Sequence, residues 1–162
     1  MKRRILLSFL AATVVAGTVW TYAAGASSGR RGPRSVTFTE INHPDTDVDL
    51  DLGPSGLSLG DEQIFHATLQ QAGKDVGDVY GVGTVVQASD SGLSSQVVST
   101  AVFPDGTFTL QLMFQMSFQD GPPQTRRGAI TGGTGAYRAT TGECVSTVIP
   151  ESDNNTITCR FA

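Results

Sequence analysis

The sequence predicts an all-β domain, either a barrel or a sandwich, and three observations support this prediction. Short β-prone runs follow one another through most of the 162 residues, at the spacing typical of such folds. Turn-forming sequences such as AGKD, ASDSG, PDG and PESD separate the runs. Beyond the amino-terminal segment, no long stretch has the hydrophobic periodicity of a helix.

The β-prone runs number about eight. The first is SVTFTEIN at 35–42, and the others are EQIFHATLQQ, VGDVYGVGTVVQ, SQVVSTAVF, TFTLQLMFQMSFQ, RRGAIT, GECVSTVI and NTITCRFA. In TFTLQLMFQMSF the alternation predicts one buried and one wet face. The predicted buried face contains Phe108, Leu110, Leu112, Phe114, Met116 and Phe118. In VGDVYGVGTVVQ, Gly77, Gly81 and Gly83 leave one face almost bare, which indicates strong curvature or internal space.

The amino terminus has the layout of a secretory signal peptide. MKRR gives a positive start, ILLSFLAATVVAGTV gives an apolar run, and Ala24-Gly25-Ala26 supplies the small residues of a cleavage motif. We predict a signal peptide over 1–26, a basic linker over 27–34 and a folded domain over 35–162. The protein is then secreted and extracellular, with no membrane association after cleavage. A retained membrane anchor is the alternative.

The charge of the predicted mature chain argues against nucleic acid as a partner. Loss of Lys2, Arg3 and Arg4 from 11 basic residues leaves eight, against 15 acidic residues, for a formal charge of −7. A surface this acidic repels phosphate backbones.

The two cysteines are predicted to form a structural disulfide. A hairpin centred between Glu151 and Ser152 places Cys144 opposite Cys159 on adjacent strands. An oxidising compartment favours the bond. The alternative, a catalytic thiol, has no adjacent histidine to support it.

The first predicted strand contains a residue that requires explanation. Side chains alternate between the faces of a strand, so Glu40 shares a face with Val36 and Phe38. A carboxylate on an apolar interior face is retained because it has a partner or because it acts on a ligand.

Other motifs are better explained by structure than by chemistry. Gly56-Leu57-Ser58-Leu59-Gly60 has the spacing of a nucleophile elbow but lacks the flanking strand and helix. The alternating carboxylates from Asp45 to Asp51 lack the pattern of a calcium loop, so we expect a solvated acidic loop and no metal site. His66 is predicted to lie on the surface, and Arg126-Arg127 to be a solvated pair.

Several stretches together resemble the allene oxide cyclase-like barrel family, which is related to plant dirigent proteins. They are EIN at 40–42, LGD at 59–61, VG at 76–77, DGT at 105–107 and AITGGTGAYRATTGE at 129–143, the last being the most specific. The resemblance covers about residues 35–161. It implies a small closed eight-stranded antiparallel β-barrel with an apolar lumen.

The resemblance also implies a site. Glu40 and Asn42 match the E-x-N pair that acts on the substrate in plant allene oxide cyclases, and are therefore the predicted catalytic residues. The predicted ligand-binding residues are Phe38, Phe65, Ala67, Gly83, Leu112 and Phe114. The plant enzymes have asparagine where this chain has Ala67 and cysteine where it has Gly83, which suits a different ligand.

These observations leave three functions open. One is an exported barrel that steers the cyclisation or isomerisation of an apolar small molecule in its lumen without a cofactor. The second is a dirigent-like or lipocalin-like binder without turnover. The third is a structural secreted domain with a filled lumen. A homo-oligomer is compatible with all three.

Overall fold

The alternating strands curl into a closed sheet that buries their apolar faces. The computed structural model describes residues 34–162. The predicted signal peptide, and the predicted linker except Arg34, lie outside this range. The strands are β1 (Arg34–Asn42), β2 (Val48–Leu50), β3 (Glu62–Gln71), β4 (Lys74–Ser89), β5 (Gly92–Phe103), β6 (Gly106–Ser117), β7 (Thr125–Gly133), β8 (Gly142–Val148) and β9 (Asn155–Phe161).

Strand β1 closes the barrel because it pairs with a different neighbour along each half. Its residues 34–40 pair with β9, and its residues 39–42 pair with β3. All pairings between strands are antiparallel. The eight long strands β1 and β3 to β9 therefore form the predicted closed barrel. The short β2, which the sequence did not indicate, pairs with the start of β3 beyond the reach of β1.

One end of the barrel is filled by aromatic rings. Neighbouring ring centroids in this group lie 5.2 to 5.9 Å apart, within the range of favourable aromatic pairs. We call this group the aromatic plug; it consists of Phe38, Phe103, Phe108, Tyr137 and Phe161. The opposite end of the barrel, where β1 ends and β7 and β9 begin, is the mouth.

The AITGGTGAY stretch brings one ring into the aromatic plug. It forms most of β7 and the 3-10 turn Gly135–Tyr137 that follows. Gly135 has a φ of 57°, which favours glycine, and a side chain there would meet the carbonyl of Asp105. A side chain on Gly133 would meet Tyr137 and the carbonyl of Thr107. The glycines therefore let the turn pack closely and place Tyr137 in the plug.

The glycines of β4 create room that other side chains fill. A side chain at Gly77 would meet the ring of Phe103, and one at Gly81 would meet the ring of Phe65. The bare face predicted for this strand is thus partly occupied by aromatic rings from neighbouring strands.

Strand β6 follows the predicted alternation over most of its length. Phe108, Leu110 and Phe114 are buried. The prediction was wrong at Phe118, which is 41% exposed because β6 ends at Ser117 and the alternation has no sheet to follow beyond it.

The predicted disulfide is present. Cys144 and Cys159 are bonded, with Cα atoms 4.0 Å apart, and they face each other in the register of β8 and β9. Within the described part of the chain, no helix has the length and apolar character needed to cross a membrane.

Candidate functional site

A cavity occupies the mouth half of the barrel, between two apolar clusters. Its volume is about 90 Å³. The cluster beside the aromatic plug contributes Val79, Leu110 and Ile157 to its wall, and the cluster nearer the mouth contributes Val97. The full lining is Glu40, Asn42, Pro44, Asp47, Phe65, His66, Val79, Val97, Ser99, Leu110, Leu112, Arg126, Gly128, Cys144, Ser146, Asp153, Asn155 and Ile157.

Glu40 and Asn155 form the polar centre of this cavity. They face each other in the register of β1 and β9, and Asn155 Nδ2 donates a hydrogen bond of 2.5 Å to Glu40 Oε2. Glu40 is 8% exposed and Asn155 is 2% exposed. The alternation of β1 thus brings the carboxyl group inside, as predicted, where an amide from β9 holds it.

Arg126 provides the positive charge of the same centre. Its side chain is 9% exposed, and its guanidinium lies 5.2 Å from the centroid of the Phe114 ring, within cation–π range. The prediction of a solvated arginine pair was wrong for Arg126, because the alternation of β7 turns it inward. Arg127 faces outward and pairs with Glu143 at 2.8 Å.

Burial dominates the electrostatics of Glu40. Desolvation raises the pKa of Glu40 above its ordinary value, while the Asn155 hydrogen bond and the charge of Arg126 partly offset this effect. Burial likewise lowers the pKa of Arg126, and Glu40 opposes that change. The centre therefore contains a carboxyl group that binds a proton more readily than a surface glutamate does.

Asn42 lies at the mouth and does not join the pair formed by Glu40 and Asn155. Its Nδ2 donates to the backbone carbonyl of Asp153, which ties the end of β1 to the turn before β9. Pro44 and Asp153 are exposed, so the cavity reaches the surface here. Both predicted catalytic residues line one cavity, but their side chains bind different partners.

His66 connects the cavity rim to the outer wall. Its ring stacks between those of His43, at 5.0 Å, and Tyr80, at 4.8 Å. Its Nε2 lies 3.1 Å from Asp78 Oδ1. The prediction of a surface side chain holds only in part, because His66 is half-buried and lines the mouth of the cavity.

The predicted ligand-binding residues divide into two groups. Phe65 and Leu112 line the cavity. The remaining four lie outside its lining: Phe38, Ala67, Gly83 and Phe114. Packing explains three of these four residues. Phe38 belongs to the aromatic plug, Phe114 lies behind Arg126, and Ala67 is fully buried.

Two residues of the polar centre were missed by the sequence analysis. Asn155 shares the strand parity of the buried Cys159, and Arg126 shares that of the buried Ile130. Extending the alternation to β7 and β9 would have placed both inside. Their contact with Glu40 depends on β1 pairing with β9, which no local pattern indicates.

The disulfide forms part of the cavity wall. Cys144 lines the cavity, and Cys159 lies behind it in the core. The inward parity of both cysteines on β8 and β9 places the bond inside the barrel.

The arrangement suits acid–base and electrostatic chemistry on an apolar molecule. Glu40 can donate or accept a proton, and Arg126 and Asn155 can stabilise negative charge in a poorly hydrated space. Among residues 34–162, no group of three or more His, Cys, Asp or Glu side chains is arranged to hold a metal ion.

The fold and this cavity define a class, the small closed antiparallel β-barrels with a polar centre inside an apolar lumen. Residues 37–160 match the profile of the Allene oxide cyclase barrel like domain. The chain therefore belongs to the allene oxide cyclase-like barrel family. No curated protein sequence matches it.

Solved structures share the fold at low sequence identity. A pyocyanin demethylase has a TM-score of 0.65 and 23% identity, covering 80% of this chain and 100% of that one. A Diels–Alderase from Streptomyces koyangensis has a TM-score of 0.57 and 20% identity, covering 78% and 62%. A pterocarpan synthase dirigent protein has a TM-score of 0.56 and 18% identity, covering 84% and 86%.

Proposed function

We propose that this protein binds one apolar small molecule in its lumen and directs a cyclisation or isomerisation of that molecule. The observation that carries the proposal is the placement of Glu40. Its carboxyl group is buried in a cavity with apolar walls, and burial raises its pKa. Asn155 donates a hydrogen bond to it, and the charge of Arg126 acts on it. Such a cavity with few convergent polar groups is the usual form of a small-molecule site.

The chemistry would begin with confinement. The rings and aliphatic side chains of Phe65, Leu112 and Ile157 restrict how a flexible ligand can fold, which favours intramolecular reaction over reaction with water. Protonated Glu40 would then give a hydrogen bond or a proton to an oxygen atom of the ligand. Arg126 and Asn155 would stabilise negative charge that develops beside it.

The names of the structural neighbours fit this reaction class. Two of them, a Diels–Alderase and a cyclase that catalyses a 4 + 2 cycloaddition, are named for ring-forming reactions. A third is a pterocarpan synthase dirigent protein. A dirigent-like binder without turnover is the second candidate. It is supported by the dirigent protein among the structural neighbours. For either candidate the cavity is small, because about 90 Å³ is less than the roughly 150 Å³ of an apolar cavity that binds benzene. A larger ligand would extend through the mouth.

We also propose that the protein acts outside the cell. The Cys144–Cys159 disulfide fits an oxidising compartment, and the predicted signal peptide supplies the route. Amino-terminal sequencing of protein from culture medium should find Ser27 or a residue near it. Intact Met1 in the membrane fraction would contradict export.

Glu40→Gln tests the site, with Glu143→Gln as a matched control on the outer wall. Ethylbenzene is the binding probe, detected by NMR through the methyl groups of Val97 and Leu112. Mass spectrometry of molecules that copurify with the wild type supplies candidate substrates for turnover assays. We expect Glu40→Gln to fold but to lose turnover or to change lumen binding, while Glu143→Gln behaves as wild type. Unchanged ligand handling in folded Glu40→Gln would contradict the proposal.

A further inference from the structure

Two buried side-chain oxygens along 34–162 accept no hydrogen bond from the protein, and both belong to residues that line the cavity. They are Asn155 Oδ1 and Asp47 Oδ1. Buried polar atoms in folded proteins are nearly always paired, so an unpaired acceptor requires an explanation. Both residues line the space in which the ligand is proposed to bind.

The orientation of the Asn155 amide follows from its partner. Asn155 Nδ2 donates a hydrogen bond to Glu40 Oε2, so the nitrogen of the amide is the atom turned toward Glu40. Asn155 Oδ1 is then directed away from Glu40. Because Asn155 is 2% exposed, bulk water does not satisfy this oxygen.

Asp47 occupies the outer part of the same cavity. Its carboxylate accepts a hydrogen bond from the backbone N–H of His66, which fixes the side chain beside the mouth. Its Oδ1 remains without a donor. Asp153 also lines the cavity, whereas the guanidinium of Arg126 lies over the Phe114 ring and interacts electrostatically with Glu40. The mouth is therefore rich in acceptors and negative in charge.

We propose that the lumen selects ligands that carry a hydrogen-bond donor at their outer end, with Asp47 as the residue that determines this specificity. The inference rests on the proposed lumen binding and adds the class of ligand. That class is an apolar molecule with a hydroxyl or protonated amine that reaches Asp47.

The electrostatics of Asp47 agree with this assignment. Burial raises the pKa of Asp47, the His66 N–H lowers it, and the neighbouring charges of Asp49 and Asp45 raise it further. A ligand donor, above all a cation, would relieve both the desolvation and the repulsion at this carboxylate.

Four probes with one phenyl ring and a short arm test the inference. They are ethylbenzene, 2-phenylethanol, 2-phenylethylammonium and phenylacetate. NMR titration of the wild-type domain gives an affinity for each. Asp47→Asn removes the carboxylate and keeps an oxygen for the His66 N–H, while Asp45→Asn removes an equal charge from an exposed neighbour outside the lining.

We expect the alcohol and the ammonium to bind about tenfold more tightly than ethylbenzene, the range of a hydrogen bond to a charged group. Asp47→Asn should abolish this preference and Asp45→Asn should keep it. If ethylbenzene binds but the donors bind no better, or if Asp45→Asn weakens them equally, the inference fails and lumen binding stands. If no probe binds, both proposals fail.

Discussion

Replacement of Glu40 by glutamine should make the protein more stable at neutral pH. The substitution keeps the shape of the side chain and an oxygen that can accept the Asn155 Nδ2 hydrogen bond. It removes a carboxylate whose burial raises its pKa more than Asn155 and Arg126 together lower it. The net environment of Glu40 is therefore unfavourable for negative charge.

The direction of the pH dependence follows from proton linkage. The pKa of Glu40 is 4.5 in its ordinary state and higher in the folded protein, so the folded state binds more protons between these two values. Wild-type stability consequently falls as pH rises from about 4.5 through the folded pKa. Each unit by which the pKa rises on folding corresponds to about 1.4 kcal/mol of lost stability at high pH. A change of about 1 kcal/mol in stability shifts Tm by roughly 3–5 °C in a domain of this size.

The assay is thermal unfolding of both proteins from pH 4 to pH 8. We expect equal Tm values at the acid end, where Glu40 and glutamine are both neutral, and a higher Tm for Glu40→Gln at pH 8. Asp61→Asn is a control of opposite sign. Although burial raises the pKa of Asp61, hydrogen bonds from Ser58 and Leu52 hold it below its ordinary value. The reasoning would be refuted if the Tm of Glu40→Gln fell further below that of the wild type as pH rises, because Glu40 would then be a stabilising partner of Arg126.

Three further predictions concern the walls of the barrel. Replacing both cysteines by alanine should lower the free energy of unfolding by about 3 kcal/mol in the chain-entropy model, and an unchanged Tm would contradict this. Because Cys144 lines the cavity, the same replacement should also change probe affinity. Arg126→Met should lower the free energy of unfolding by about 1–2 kcal/mol, because it removes the cation–π contact with Phe114. Arg127→Met on the outer wall should lower it by about 0.5 kcal/mol or less. Denaturant unfolding measures both variants, and equal losses of stability would reject an interior role for Arg126. Gly83→Ala should fold normally, since the new methyl group would meet Val97 Cγ2 at an ordinary contact distance of 3.5 Å. Gly81→Ala should displace the Phe65 ring and lower both Tm and probe binding. A larger loss for Gly83→Ala than for Gly81→Ala would contradict the packing described for β4.

The strands were predictable because their signal is local. Alternation on β1 and β6 identified the interior faces, and the symmetry of the last hairpin paired Cys144 with Cys159. The resemblance to the family supplied closure of the barrel, which alternation alone did not distinguish from a sandwich.

The polar centre was only half predictable because its contacts are long-range. Glu40 and Asn155 are separated by 115 positions in the chain, and only the pairing of β1 with β9 brings them together. Phe38 and Phe114 were predicted as ligand contacts because both lie on apolar strand faces, and Phe114 also because it matches an aromatic position of the family. An inward direction does not determine whether a side chain meets a ligand or another side chain, and here it meets other side chains.

The aromatic plug fills the end of the barrel opposite the mouth, where Phe103, Phe108 and Tyr137 pack together. Under the proposed function, a ligand would therefore enter and leave the cavity past the same rim. Its orientation at that rim would then decide which part of it comes near Glu40.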